Sequence, residues 1–473
     1  MIRFLLLILG TLCCFHANGQ DSTLVVNLSL LAAGSDGPTP YWMHANKSGS
    51  IPDEKLYVSG QWGVYKVYNP HNPRLLQWSA GVELITNYGR KENVFFTDLY
   101  GAVKFGNVEL MLGQKKNMVS LVDSTLGTGS LSVSGNSRPF PRFQLSVAEF
   151  QPFSFTGDFL AFKASLSDGT LGKSNINYGS VSQIPKTYFH QKQLYFRLGK
   201  SQQRFKAYIG INHQAIWGGE NLISPLADSR LLKSYWQVVT GKTVNYKKVG
   251  NHFGTIDLAF EFKISKWKLF AYRNNIHESG SLFKVINLSD GLNGITITNS
   301  LIHNDKKNLF SIYSLNIEYL SLRNQRNQFQ PSGQVIYETA NYYNNYIYQR
   351  GWSYYGYGIG SALAPVSSLT QSNLPENASQ FTNNNRIHAF HTALKGYFGN
   401  IDLLLKCTYT RNYGTYLTPF DTNKNQLSLF ISGERKISFI KLSVVAGLAS
   451  DIGKLYPNSN SVFVGIRKSA FIN

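Results

Sequence analysis

The sequence predicts an all-β chain, a transmembrane antiparallel β-barrel of roughly 16–18 strands. Three observations carry this. Apolar and polar residues alternate with period two in segment after segment, aromatics are abundant while charges are scarce, and past residue 15 no apolar stretch approaches the length of a membrane helix. A chain that enters a membrane without spanning helices must close a hydrogen-bonded ladder on itself, because lipid offers no partner to an open edge.

The alternation runs nearly the whole length. Trp78, Ala80, Val82 and Leu84 share one face and Ser79, Gly81 and Glu83 the other. Phe205, Ala207, Ile209 and Ile211 oppose Lys206, Tyr208, Gly210 and Asn212, while Leu258, Phe260 and Phe262 oppose Asp257, Glu261 and Lys263. Tyr313, Leu315, Ile317 and Tyr319 stand against Ser314, Asn316 and Glu318, and Ile401, Leu403, Leu405 and Cys407 against Asp402, Lys406 and Thr408. Leu442, Val444, Ala446 and Leu448, then Val462, Val464 and Ile466, carry the pattern on, with Phe471 as a terminal aromatic. A water-soluble sandwich also alternates. The aromatic strand ends, the exported leader and the lack of any repeat of about 20 to 50 residues favour the barrel.

Composition points the same way, since 14% of residues are aromatic and only 15% charged, against about a quarter charged in ordinary soluble domains. At the start of the chain Arg3 precedes an apolar run from Phe4 to Phe15, shorter than the about 20 residues a spanning helix needs. Ala17 and Gly19 occupy the positions a signal peptidase reads, so residues 1–19 are expected to be a signal peptide and Gln20 the mature terminus. Leu12 and Cys13, not small residues, precede the two leader cysteines, which argues against a lipid anchor. Only Cys407 remains beyond the leader, so no intrachain disulfide is expected. No linker or charge block divides residues 20–473, which read as a single barrel. Segments 117–141, 165–186, 218–234, 325–342 and 355–385, rich in Gly, Ser, Asn and Pro, are expected to be long outer connections, and 367–385 is expected to be mobile.

Three motifs bear on function. The first runs from Gly129 to Arg142 and holds Ser134-Gly135-Asn136-Ser137-Arg138-Pro139-Phe140-Pro141. His213-Gln214-Ala215-Ile216-Trp217-Gly218-Gly219 is the second. Asn341-Tyr342-Tyr343-Asn344-Asn345-Tyr346, followed by Gly351 and by Ile359-Gly360-Ser361, is the third. In this order the motifs resemble the SGNxRPxP, HxxxWGG and YYNxxY segments of the Wzi capsule assembly proteins. The resemblance implies an eighteen-stranded outer-membrane barrel that acts as a surface lectin and holds or organises capsular polysaccharide.

On that reading Arg138, Tyr342, Tyr343 and Asn345 are the candidate polysaccharide-binding residues. Arg138, held between Asn136 and two following prolines, can present a planar guanidinium to an anion, and the tyrosines can stack on sugar faces. The residues themselves leave alternatives open: an arginine lining the lumen and paired with an inward carboxylate, and tyrosines of an interfacial girdle. His213 and Trp217 read as structural. His388 and His391 point to opposite faces of a strand, His277-Glu278 lacks the second histidine of a zincin helix, and no G-x-S-x-G elbow occurs, so neither metal, cofactor nor enzyme activity is expected. The formal charge of +20 suits the phosphates of lipopolysaccharide or an acidic glycan. An exported barrel does not meet nucleic acid. A monomeric barrel in the outer membrane, in contact with its lipid, is expected, and an anion-preferring porin is the alternative to the lectin.

Overall fold

The computed structural model describes residues 23–471 apart from 73, 224–229, 245–246, 279–286, 300–307 and 330–335. The expected leader, 1–19, lies outside the described residues. Eighteen antiparallel strands form one sheet closed on itself. In chain order β1 to β6 are Leu24–Ser35, Leu56–Lys66, Leu76–Tyr88, Asn93–Phe105, Val108–Gln114 and Arg142–Pro152. Strands β7 to β12 are Leu160–Tyr178, Val181–Leu198, Phe205–Trp217, Asn251–Ile264, Trp267–Glu278 and Gly291–Asn299. Strands β13 to β18 are Phe310–Ser321, Ile387–Phe398, Ile401–Gly414, Pro419–Ile437, Leu442–Gly453 and Ser459–Phe471. Each pairs with its neighbours in sequence, and β1 closes on β18 from Val25 opposite Phe471 to Ser35 opposite Ser461. The strand count falls at the upper end of the expected range.

The period-two pattern becomes an inside-out protein. On β10, Leu258 and Phe260 are 40% and 50% exposed on the outer wall, while Asp257 between them and the strand's edge is fully buried. The same division sets outward Trp78 and Val82 against inward Glu83, outward Ile209 and Ile211 against inward Asn212, and outward Ile317 against inward Glu318. Apolar groups meet lipid at no cost, whereas the polar ones turn to the only aqueous or protein-filled space available, the lumen. Phe471 ends β18 in the register row of Phe463 and Arg467, not in the outward row of Val462 and Val464, and is exposed at the barrel's rim.

Both described ends of the chain lie at the end of the barrel where the connections are short, such as 106–107, 265–266 and 399–400. Gly106 at φ +57° and Gly399 at φ +53° supply the left-handed backbone those two-residue turns require. The opposite end carries 36–55, 115–141, 218–250 and 322–386. Short turns mark the periplasmic end and long segments the external one.

One expected loop is no loop. Segment 165–186 belongs to β7 and β8, which run for 19 and 18 residues and rise beyond the other strands as a hairpin. One face of the ribbon packs Leu171, Ile176 and Ile184 on the loops while the other is solvent-exposed, so few apolar residues are needed and composition alone mistakes the hairpin for a connection.

With no free edge, the barrel is expected to stay folded in detergent at room temperature and to unfold on boiling. An unboiled sample should migrate faster on a gel than a boiled one; identical mobilities would contradict the closed ladder. Ile209→Arg, which places a charge near mid-height of the lipid face, should lower barrel stability by about 2–4 kcal/mol in a lipid-bilayer unfolding titration.

Candidate functional site, a lumen filled by its own loops

Three external segments fold back into the barrel rather than outward. The first enters at Pro40 and makes a single helical turn, α1 (Tyr41–His44), all four of whose residues are buried. The Tyr41 amide donates to Asp451 Oδ2 at 2.7 Å and the Trp42 indole N–H to Thr408 Oγ1 at 3.0 Å, both acceptors being inward residues of the wall. Lys406 lies 4.2 Å from the Trp42 ring centre, a cation–π contact. Burial pushes the His44 imidazole down to about 4, so it sits neutral in this packing.

The second segment, 115–141, is held by two carboxylates of the wall. Asp257 accepts from Ser120 Oγ at 2.8 Å, from the Leu121 amide at 3.2 Å and from the Tyr195 hydroxyl at 3.1 Å, with Asn274 a further donor. Glu318 accepts from both the amide and the hydroxyl of Thr128 at 2.7 Å and from the Tyr272 hydroxyl at 2.6 Å. The Leu131 amide reaches Asn274 Oδ1 at 3.0 Å, and His391 Nε2 is 2.9 Å from the Leu126 carbonyl. Inside the barrel each of these polar atoms finds a partner that the dry interior would otherwise deny it.

The third segment brings the sequence motifs together. The Tyr343 hydroxyl donates to the Leu131 carbonyl at 2.9 Å, the Ser134 amide to the Ile359 carbonyl at 3.0 Å, and Ser134 Oγ to the Gly360 carbonyl at 2.5 Å. Asn136 bonds the Gly358 carbonyl and accepts from the Asn46 amide, tying the second segment to both others. Gly360 is required by contact, since a Cβ there would stand 2.2 Å from the Tyr343 ring.

The candidate residues are therefore placed as follows. Tyr342 and Tyr343 are 1% and 2% exposed, and the Tyr342 hydroxyl is engaged by Asn287 at 2.5 Å and Asp290 at 3.3 Å. Burial raises both phenols above the ordinary value. Asn345 Oδ1 accepts the Ile347 and Tyr348 amides, closing a local turn. The Arg138 guanidinium lies 3.4 Å over the Phe95 ring and 4.8 Å from Tyr355. An arginine paired with an inward acid and tyrosines in an interfacial girdle, the two alternatives the sequence leaves open, are both replaced by packing of the loops on one another and on the wall. The polar stretch 367–385, expected to be mobile, is instead anchored: Asn383, Asn384 and Asn385 are at most 1% exposed, and Asn384 donates to Asn412 Oδ1 at 2.9 Å. Its polarity marks burial in a polar lumen.

Sequence reasoning placed Asp257 and Glu318 on polar strand faces and missed that they hold the loops. Lys47 was missed altogether. It is exposed to the water of the lumen, yet the enclosing protein lowers its ammonium from the usual value, with Arg467 and Lys116 adding like-charge repulsion.

Space remains at both ends. An external cavity of about 800 Å3 is lined by Lys173, Arg350, Tyr354, Tyr355, Glu376 and Phe381. A periplasmic one of about 680 Å3 is bounded by Asn27, Gln61, Glu83, Glu434, Lys436 and Arg467. Between them in height, a cavity of about 120 Å3 separates loop residues 117–121 from Gln144, Ser146, Lys163 and Gln193 of the wall. Among the described residues no group of three or more His, Cys, Asp or Glu is arranged to hold a metal.

No family model and no curated protein matches the sequence. Solved structures that resemble it over nearly the whole chain include outer-membrane proteins. Pseudomonas aeruginosa OpdL shares 6% identity at a TM-score of 0.49, covering 95% of this chain and 99% of its own. OccK2 of the same organism, solved with glucuronate, shares 9% at 0.49 over 95% and 98%. P. aeruginosa OprD shares 9% at 0.46 over 96% and 95%. This chain is an outer-membrane barrel. The expected membership of the Wzi capsule assembly family, and with it the lectin function and the polysaccharide partner, is withdrawn: no family model matches, and the first and third of the motifs that suggested it pack the loops against one another.

Asp257→Ala should free segment 115–141, because it leaves the Ser120, Leu121, Tyr195 and Asn274 donors unpaired at roughly 1–3 kcal/mol each. Limited proteolysis on intact cells should then cut this segment at least about tenfold faster than in the parent, given that one such loss corresponds to about a factor of ten, while heat-modifiability persists.

Proposed function

We propose that the protein is an outer-membrane diffusion channel for small polar solutes, with a preference for anions, whose aperture is set by the loops folded into its lumen. The observation that carries this is the pair of chambers at the two ends of one barrel, with the small cavity beside Lys163 lying at a height between them, where we place the passage. Lys47, Lys116, Lys163, Lys436 and Arg467 give the route a cationic lining that draws anions and disfavours cations. Two of these are balanced locally, Lys116 by Glu83 and Arg467 by Glu434, so Lys47, Lys163 and Lys436 carry the preference. A closed sheet without an edge supports a monomer, with lipid and lipopolysaccharide around it.

Purified protein in planar bilayers should give small, discrete conductance steps, and a salt gradient should yield a reversal potential of anionic sign. Lys163→Glu should shift that potential toward cations and leave folding intact. A barrel that inserts and shows no steps at any voltage would overturn the channel. An unchanged potential in Lys163→Glu would move the passage elsewhere.

A further inference from the structure

On the outer wall of β7 to β10 the apolar surface stops short. Along β9 it runs outward from Phe205 to Ile211. Those six residue steps of about 3.3 Å, tilted by about 40°, reach a height of only about 15 Å. The apolar band of an outer-membrane barrel is about 25 Å tall. In the next two outward rows stand Lys192 and His213, then Asp168, His190 and His252, polar groups that lipid would not solvate.

A helix covers them. Helix α2 (Leu231–Thr240) lies against the outside of the barrel: its Tyr235 hydroxyl donates to Asp168 Oδ2 at 3.0 Å, and Lys192 Nζ donates to the Val239 carbonyl at 2.5 Å. Beneath it Asp168 meets His190 Nδ1 at 2.8 Å and His213 meets His252 at 2.9 Å. Val238 packs on Ala215 and Trp217, all three buried. Away from that contact the helix is apolar and bare, with Leu232 82% and Trp236 60% exposed on its side and Leu231 56% exposed at its start. Exposed Arg230, Lys233 and Lys242 flank that side, and the first turn holds no acid.

We propose that α2 is an interfacial helix that restores the lipid-facing band on this side of the barrel and binds lipopolysaccharide of the outer leaflet. Leu231, Leu232 and Trp236 enter the acyl boundary, and Arg230, Lys233 and Lys242 meet the phosphates of the lipid A headgroup. Two facts fix this occupant. The helix is continuous with the apolar wall immediately below it, at the external end where the outer leaflet lies. Its charge is of one sign, which suits a phosphorylated lipid; an indole at the headgroup level is the usual anchor there.

The test uses the full chain in vesicles. The Trp236 signal, taken as parent minus Trp236→Phe, should be quenched by phosphatidylcholine brominated at shallow acyl positions and shielded from aqueous iodide. Quenching by iodide and not by bromine would overturn the placement. With lipid A in the vesicles, the parent's affinity should exceed that of Arg230→Gln/Lys233→Gln/Lys242→Gln at least about tenfold, three cations near a charged surface being involved. Lipid A stripped of phosphate should abolish that difference. Equal affinities in a variant that remains heat-modifiable would overturn the headgroup contact, and neither result depends on whether the barrel conducts.

Discussion

Everything in this molecule follows from the need to satisfy polar groups inside a wall that faces hydrocarbon. The closed ladder settles the backbone. It leaves two populations of side chains, one row outward and one inward, and the inward row carries acids such as Asp257 and Glu318 that are fully buried. An isolated buried carboxylate is costly unless several donors reach it. Neighbouring strands supply some of these donors, through Tyr195, Asn274 and Tyr272. The rest come from loop amides and hydroxyls, so the wall and the loops stabilise each other.

The same requirement explains why loop and wall form one continuous packing. Tyr41 stacks on Tyr456 with centroids 5.9 Å apart, and the Trp352 indole N–H reaches Asn251 at 2.6 Å. These contacts join segments far apart in sequence around the whole circumference. Aromatic residues therefore have two distinct uses here. Outside they meet lipid, as Trp78 and Phe260 do; inside they fill the volume that water would occupy in a wide pore, as Tyr343 and Trp352 do.

The barrel was legible in the sequence because alternation is a local property, written into each strand: every face assignment from Trp78 to Ile466 agrees with the observed wall. The loops were not, because polarity has the opposite meaning inside a barrel. Asn383 to Asn385 look like solvated chain and are among the most buried residues. The motifs around Ser134, Tyr343 and Gly360 were visible as unusual, and what they do could not be read from residue types, since a tyrosine hydroxyl on a carbonyl some two hundred positions away in sequence is set by the way the loops fold. Asp257 and Glu318 gave a usable signal: a carboxylate in the inward row of a strand needs donors, and the strands alone provide too few. Helix α2 left little trace, since its ten residues are short and its apolar face is interrupted by Lys233.

The pairing of Val25 with Phe471 has a consequence for biogenesis. Most ladders join neighbours along the chain and can zip as hairpins, but the last one joins residues separated by nearly the entire sequence, so the entropy of closing that loop is met only after all other strands are in place. Until then the strands of residues 24–35 and 459–471 each carry a row of unpaired backbone groups that neither water-free lipid nor a free monomer can satisfy. The nascent barrel must therefore be held open by something that lends it a temporary edge, and release of that edge is the step at which the sheet becomes a cylinder.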